Sequence, residues 1–167
     1  MKIKILTFIF CIVSFSCFSQ SLETKNKFFK ATFNKITIDV PEGFEAVTNQ
    51  NGFLHKGSAS TLMVSEISNS PFNFTVSHFN SENLEKDGAK LTEKTEIKTN
   101  SGQDAVLYTL SFAVKSKDNS SSVDFERLIL ITGNETTTVV IVANYPVMIR
   151  KLIQEPLKTS LLSVIIN

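Results

Sequence analysis

The chain has 167 residues, 17 of them basic and 16 acidic, and two cysteines, Cys11 and Cys17. So even a balance excludes the cationic field that steers proteins onto nucleic acid or anionic membranes. Both cysteines lie in the first nineteen residues, so the rest of the chain has no disulfide, thiolate nucleophile or cysteine metal ligand. Those nineteen, MKIKILTFIFCIVSFSCFS, place Lys2 and Lys4 before an apolar and small-residue run from Ile5 to Phe18. This is the basic-then-apolar order of a secretory signal peptide, and the run is short of the roughly 20 apolar residues of a membrane span. Small side chains at Cys17 and Ser19 place cleavage between Ser19 and Gln20. A second reading is lipid attachment at Cys17, a lipid-anchored envelope protein, although Ser14 stands where such signals place an aliphatic residue. Removing residues 1–19 takes away Lys2 and Lys4 and leaves 15 bases against 16 acids, a net charge of −1. What remains is enough for one domain held by its core alone, and it keeps ten phenylalanines.

Residues 20–30, QSLETKNKFFK, lack periodicity and read as a flexible tether, leaving 31–167 as a single domain. Phe33, Ile36, Ile38 and Val40 begin a strand pattern that ends at Pro41, which cannot donate to a ladder. Asn51-Gly52 and Gly57-Ser58 are turn signals around a short strand of Phe53, Leu54 and His55. STLMVSEI is a further strand, apolar on both faces at its middle, and SNSPFN is a loop by composition. Ser81 is positioned to cap a short helix through ENLEKDG, stopped by Gly88. Two strands then flank the Asn100-Ser101-Gly102 turn. Val106, Tyr108, Leu110, Phe112 and Val114 recur at period two on the second of them. VDFERLILITG and TTTVVIVANY continue a meander. After Pro146 the period becomes four, through Ile149, Ile153, Leu157, Leu161 and Ile165, which predicts a terminal helix with one apolar stripe. Pro156 is expected to divide that helix in two, with Ile153 and Leu157 both buried. Leu110 and Phe112 are expected to lie under it and to be equally buried.

These elements define an α+β fold: a mainly antiparallel sheet of six or seven strands with a short middle helix and a C-terminal helix on one face. The order of a strand ending in VPEGF, a short hairpin, a middle helix, a turn of the type TNSGQDAVLYTL, long strands and a terminal helix ending SLLSVI resembles the PsbP-like and DcrB-like group. The resemblance spans residues 33–165 and is one of layout. It implies a small exported binding or accessory module, with no catalytic signature and no residue roles to carry over.

Chemistry-bearing patterns are sparse. His55 and His78 have no histidine four residues away and no cysteine beside them, so each reads as a satisfied or surface histidine rather than a zinc ligand. No Gly-x-Ser-x-Gly occurs. Asp118, Ser120, Ser122, Asp124 and Glu126 alternate like calcium ligands but lack the loop's glycine and terminal glutamate. They read as a polar turn leading into a strand whose solvent face carries Asp124 and Glu126. The pairs Glu93 with Glu96 and Asp39 with Glu42 read as solvated acids at turns and strand ends. The VPEGF step poses one question: whether Phe44 plugs the core, or joins Phe72 and Phe74 in an exposed apolar contact patch. The core plug is the preferred answer. No catalytic residue, metal or cofactor is expected. Two functional classes follow: an exported envelope module that binds another protein, and a periplasmic carrier or sensor of a small apolar ligand between sheet and helix.

Overall fold

The computed structural model describes residues 27–85, 88–116, 118 and 120–167. The signal segment, Cys17, Ser19 and Gln20 lie outside the described residues. Ten strands, two short helices and one longer helix follow in chain order. They are β1 (Phe28–Phe33), β2 (Ile36–Pro41), β3 (Glu45–Ala46), β4 (Gly52–His55), β5 (Ser60–Ser68), α1 (Phe72–His78) and α2 (Ser81–Glu85). Then come β6 (Lys90–Lys98), β7 (Asp104–Lys115), β8 (Ser122–Gly133), β9 (Thr137–Pro146), a 3-10 turn at Val147–Ile149, α3 (Arg150–Leu162) and β10 (Ile165–Ile166). The main sheet is antiparallel with order β3-β4-β5-β9-β8-β7-β6, and a second sheet runs β1-β2-β10. The expected α+β class and the seven-stranded antiparallel sheet are therefore present, with the small sheet as an addition.

The main sheet is apolar on both faces, because β8 runs Leu128, Ile129, Leu130 and Ile131 without a polar residue and all four are buried. On one face, β2 and α3 bring Ile38, Val40, Leu157, Leu161 and Val164 against Leu128, Leu130, Ile141 and Tyr145. On the other, α1 and α2 cover Val106, Tyr108, Leu110, Ile129 and Ile131. This corrects the expected docking: α3 lies on the face opposite to Leu110 and Phe112. The period-two row of β7 marked an apolar face truly, but a sheet with two such faces does not say which one the last helix takes.

Leu110 and Phe112 also differ, contrary to expectation. Leu110 is fully buried, whereas Phe112 is half-buried beyond the end of α2, stacked on Phe125 at 5.6 Å. Leu110→Ala is expected to cost about 2–5 kcal/mol, as for a sealed core leucine. Phe112→Ala should cost less, about 1–2 kcal/mol, because part of its ring is already hydrated. Equal losses in urea titrations would mean that both rings of contacts are sealed from water.

α3 is one continuous helix with Pro156 inside it, not two pieces. The missing N–H of Pro156 releases the carbonyl of Leu152, a residue 78% exposed, where solvent replaces the lost donor. The division falls earlier, between the 3-10 turn after Pro146 and Arg150. The buried stripe runs through Pro156, Leu157, Ser160, Leu161 and Val164, with Ile153 half-buried; Ile165 leaves the helix for β10 and is 39% exposed. Ser160 Oγ donates to the carbonyl of Asp39, and the Asp39 N–H donates to Ser163 Oγ at 2.8 Å. The helix is thereby stitched to β2.

Two local readings are corrected. Residues 28–30 belong to β1, not to a tether, because Asn34 turns the chain with φ +52° and lets Phe28–Phe33 pair along β2. Asparagine tolerates that left-handed angle. The loop SNSPFN holds the start of α1, and α2 is capped by Asn80, whose Oδ1 accepts the Asn83 N–H at 2.9 Å, rather than by Ser81.

Candidate functional site

The α1–α2 pair leaves part of its sheet face open, and there a polar row crosses three adjacent strands. Arg127 on β8 stands opposite Asn144 on β9, which stands opposite Thr61 on β5. Directly opposed side chains on one face come within bonding reach. Arg127 Nε donates to Asn144 Oδ1 at 2.7 Å, and Asn144 Nδ2 donates to Thr61 Oγ1 at 3.0 Å. The guanidinium lies over the Phe112 ring, 4.8 Å from its centroid. Among the described residues no carboxylate pairs with Arg127; the ion pairs are formed elsewhere.

Beside this row lies an open trough of about 340 Å³. Ile129 and Val142 form its floor, and Phe79 and Leu84 its far wall, with His78 and Asn83 at the rim. On the other side of Arg127 the stacked pair Phe112–Phe125 leads to Val114 and Val123, which face each other and are 47% and 45% exposed. A larger hollow of about 580 Å³ at the end of the sheet lies between two turns and the start of α1, lined by Phe72, Asn73, Gly102, Asp104, Gly133 and Asn134.

The residues of the VPEGF question separate. Phe44 is 4% exposed, packed in the core on the α3 side with its ring 5.4 Å from that of His55. Gly43 turns with φ +88°, and a Cβ there would meet His55 Nε2 at 2.8 Å. The step therefore ends a strand and seats a core phenylalanine. Phe72 is half-buried in the opposite core, and Phe74 is 58% exposed on α1, against His78 at 4.2 Å. The three phenylalanines do not form one patch, because the sheet stands between Phe44 and the other two.

His55 Nδ1 lies 2.8 Å from Ser58 Oγ, a pairing that resembles a nucleophile with its base. Ser58 Oγ instead donates to the buried Ser60 Oγ at 2.9 Å, so its proton points away from the imidazole. The contact fixes a turn. His78 is exposed, with Nδ1 2.8 Å from the Phe74 carbonyl. Among the described residues no group of three histidine, cysteine or acidic side chains is placed to hold a metal.

Glu126 is a correction. Read as solvent-facing, it is 7% exposed. Its carboxylate accepts both Arg150 Nε at 2.8 Å and Arg150 Nη2, and the Tyr145 hydroxyl at 2.8 Å. Burial, and then the bond to Glu126, hold the Tyr145 phenol well above its usual range. The chain reversal after Pro146 brings Arg150 back over the strand, so an acid on an apparently outer position is covered. Asp124 is exposed, as are Glu42, Glu93 and Glu96, and Asp39 is half-buried.

Asp118 organises its own turn. Its Oδ1 accepts Ser116 Oγ at 2.6 Å and, from Ser120, Oγ at 2.8 Å and the N–H at 3.1 Å. These bonds, Ser116 first, hold its carboxyl down to about 2. A depressed folded value means that the turn's contribution is complete above the ordinary aspartate range and is lost as pH falls through about 2. An NMR carboxyl titration should give that midpoint, and Ser116→Ala should raise it. A midpoint unchanged by the substitution would show that Ser116 does not hold the acid.

The residues that sequence reasoning missed are Arg127, Asn144 and Thr61. One signal was available: arginine occurs only at 127 and 150 in a chain otherwise supplied with lysine. Arg150 sets its planar fork on Glu126, and Arg127 bonds Asn144 through Nε while lying over the Phe112 ring, contacts lysine cannot reproduce.

No family model matches the chain, and no curated protein matches it. Solved structures do. A Pseudomonas aeruginosa protein of unknown function superposes with TM-score 0.54 at 15% identity, over 83% of this chain and 96% of that one. Cyanobacterial PsbP from Synechocystis sp. PCC 6803 superposes with TM-score 0.53 at 12% identity, over 84% and 92%. LpqN, involved in cell envelope biogenesis of Mycobacterium tuberculosis, superposes with TM-score 0.54 at 10% identity, over 84% and 90%. At these identities the likeness is one of fold: the chain has the architecture of the PsbP-like and DcrB-like group. No helix among the described residues is long and apolar enough to cross a membrane.

Proposed function

We propose that the chain is an exported, non-enzymatic accessory module of the bacterial cell envelope that works by protein–protein contact through the open trough. The observation that carries this reading is Arg127, a positioned cation without a carboxylate partner among the described residues, on an otherwise apolar, open sheet face. Export is supported by the order of residues 1–19, and the envelope setting by the likeness to LpqN. The carrier reading is weaker, because Leu157, Leu161 and Val164 fill the contact between α3 and the sheet where its ligand would lie.

A photo-crosslinking residue at Val142 in the producing host should capture an envelope protein, whereas one at Lys94 on the charged edge strand β6 should not. Native and intact mass spectrometry of the host-purified protein should show no retained ligand and an N-terminus at Gln20. A retained apolar ligand would turn the reading to the carrier, a mass including residues 1–19 would end the export claim, and a lipid on Cys17 would replace cleavage by anchoring.

A further inference from the structure

We infer that the trough selects an acidic segment of its partner, an aspartate or glutamate flanked by apolar side chains, with Arg127 gripping the carboxylate. This rests on the protein-contact reading above and names the partner's chemistry. Arg127 spends only Nε within the protein, on Asn144, and no described residue bonds its Nη groups. Asn144 is itself held by Thr61, and Phe112 supports the guanidinium plane from below. The fork is therefore oriented before anything binds, which lowers the ordering cost of an incoming partner. Two parallel N–H donors match a carboxylate.

The charge is half-buried, so its attraction is screened less than that of a rim pair. Glu45, the acid at the far end of the same cross-strand row, is spent on Lys56 at 2.6 Å. A single guanidinium balances a monoanion; a phosphate of nearly two charges would leave excess charge among apolar walls. Ile129 and Val142 flank the cation on one side and Phe112 and Phe125 on the other, so residues on both sides of the acid meet apolar surface. The trough is open along its length. An alkyl chain lying in it would remain half in water, whereas a protein segment brings its own cover.

The test is selection of phage-displayed random dodecapeptides on the folded chain purified from an exporting host. Enriched peptides should share an acidic residue between apolar ones. Their affinity should fall roughly tenfold or more in Arg127→Gln. Arg127→Lys, which keeps a point charge and loses the fork, should lie between. Val142→Glu, which places a competing carboxylate beside the guanidinium, should abolish binding while the domain still melts cooperatively, so that loss is separable from unfolding. Peptides without an acid, peptides indifferent to Arg127→Gln, or repeated selections without a binder would overturn the acidic-segment inference and leave protein contact elsewhere intact. A lipid that co-purifies with the chain and is absent from Arg127→Gln would overturn the contact reading itself.

Discussion

Truncation after Glu155 is expected to leave a chain that neither melts cooperatively nor stays monomeric. It removes Leu157, Leu161 and Val164, each fully buried against the sheet. At about 1.5–3 kcal/mol each, their burial amounts to roughly the whole stability of a small domain. The same cut removes the Leu162 carbonyl that accepts the Asn100 N–H at 2.8 Å and the Ser163 hydroxyl that accepts the Asp39 N–H. Exposed sheet should then bind hydrophobic dye and associate. A truncated domain that melts at the parent temperature would make the last turns an appendage, and α3 would then be the better place to look for a partner.

Removal of Arg150 is expected to harm the fold more than removal of its partner's charge. In Arg150→Met the Glu126 carboxylate, whose side chain is 10% exposed, keeps only the Tyr145 hydroxyl as a partner. A buried acid left without its cation costs about 3–5 kcal/mol. In Glu126→Gln the orphan is Arg150, whose side chain is 47% exposed and can hydrate, and the Tyr145 bond is retained; about 1–2 kcal/mol is expected. Denaturant midpoints of the two variants give the order directly. The reverse order would mean that water reaches Glu126 freely and that the pair is not what anchors α3 to β8.

The parts of this fold that are legible in the sequence are those whose signals are local and repeated. The meander from β6 to β9 showed itself through period-two rows and turns at Gly102 and Gly133. β5 was evident from its two-faced apolar centre. α1 was not, because its seven residues owe their helix to distant support: the Phe72 N–H reaches the Asn134 carbonyl at 3.0 Å, and Thr75 Oγ1 reaches Thr138 at 3.2 Å. β1 was hidden by its largely exposed pattern and exists by pairing with β2. The trough was invisible for a related reason. Arg127, Asn144 and Thr61 are separated by 17 and 83 residues, and only strand register places them in one row. One of only two arginines in a lysine-rich chain was the trace it left.

The small sheet bears on how the chain is handled before it is folded. β2 is the middle strand of three, with β1 on one side and β10 on the other, so Ile166 pairs with Ile36 across nearly the full sequence. Contacts that close so large a loop form late, because their chain-entropy cost must be met before they return anything. The layer containing β2 is thus incomplete until β10 has been made and has paired with it. A nascent chain in that condition remains threadable, with its early strands lacking the surface they pack on. Delayed closure therefore lengthens the time over which one edge of β2 offers unpaired backbone groups to other chains.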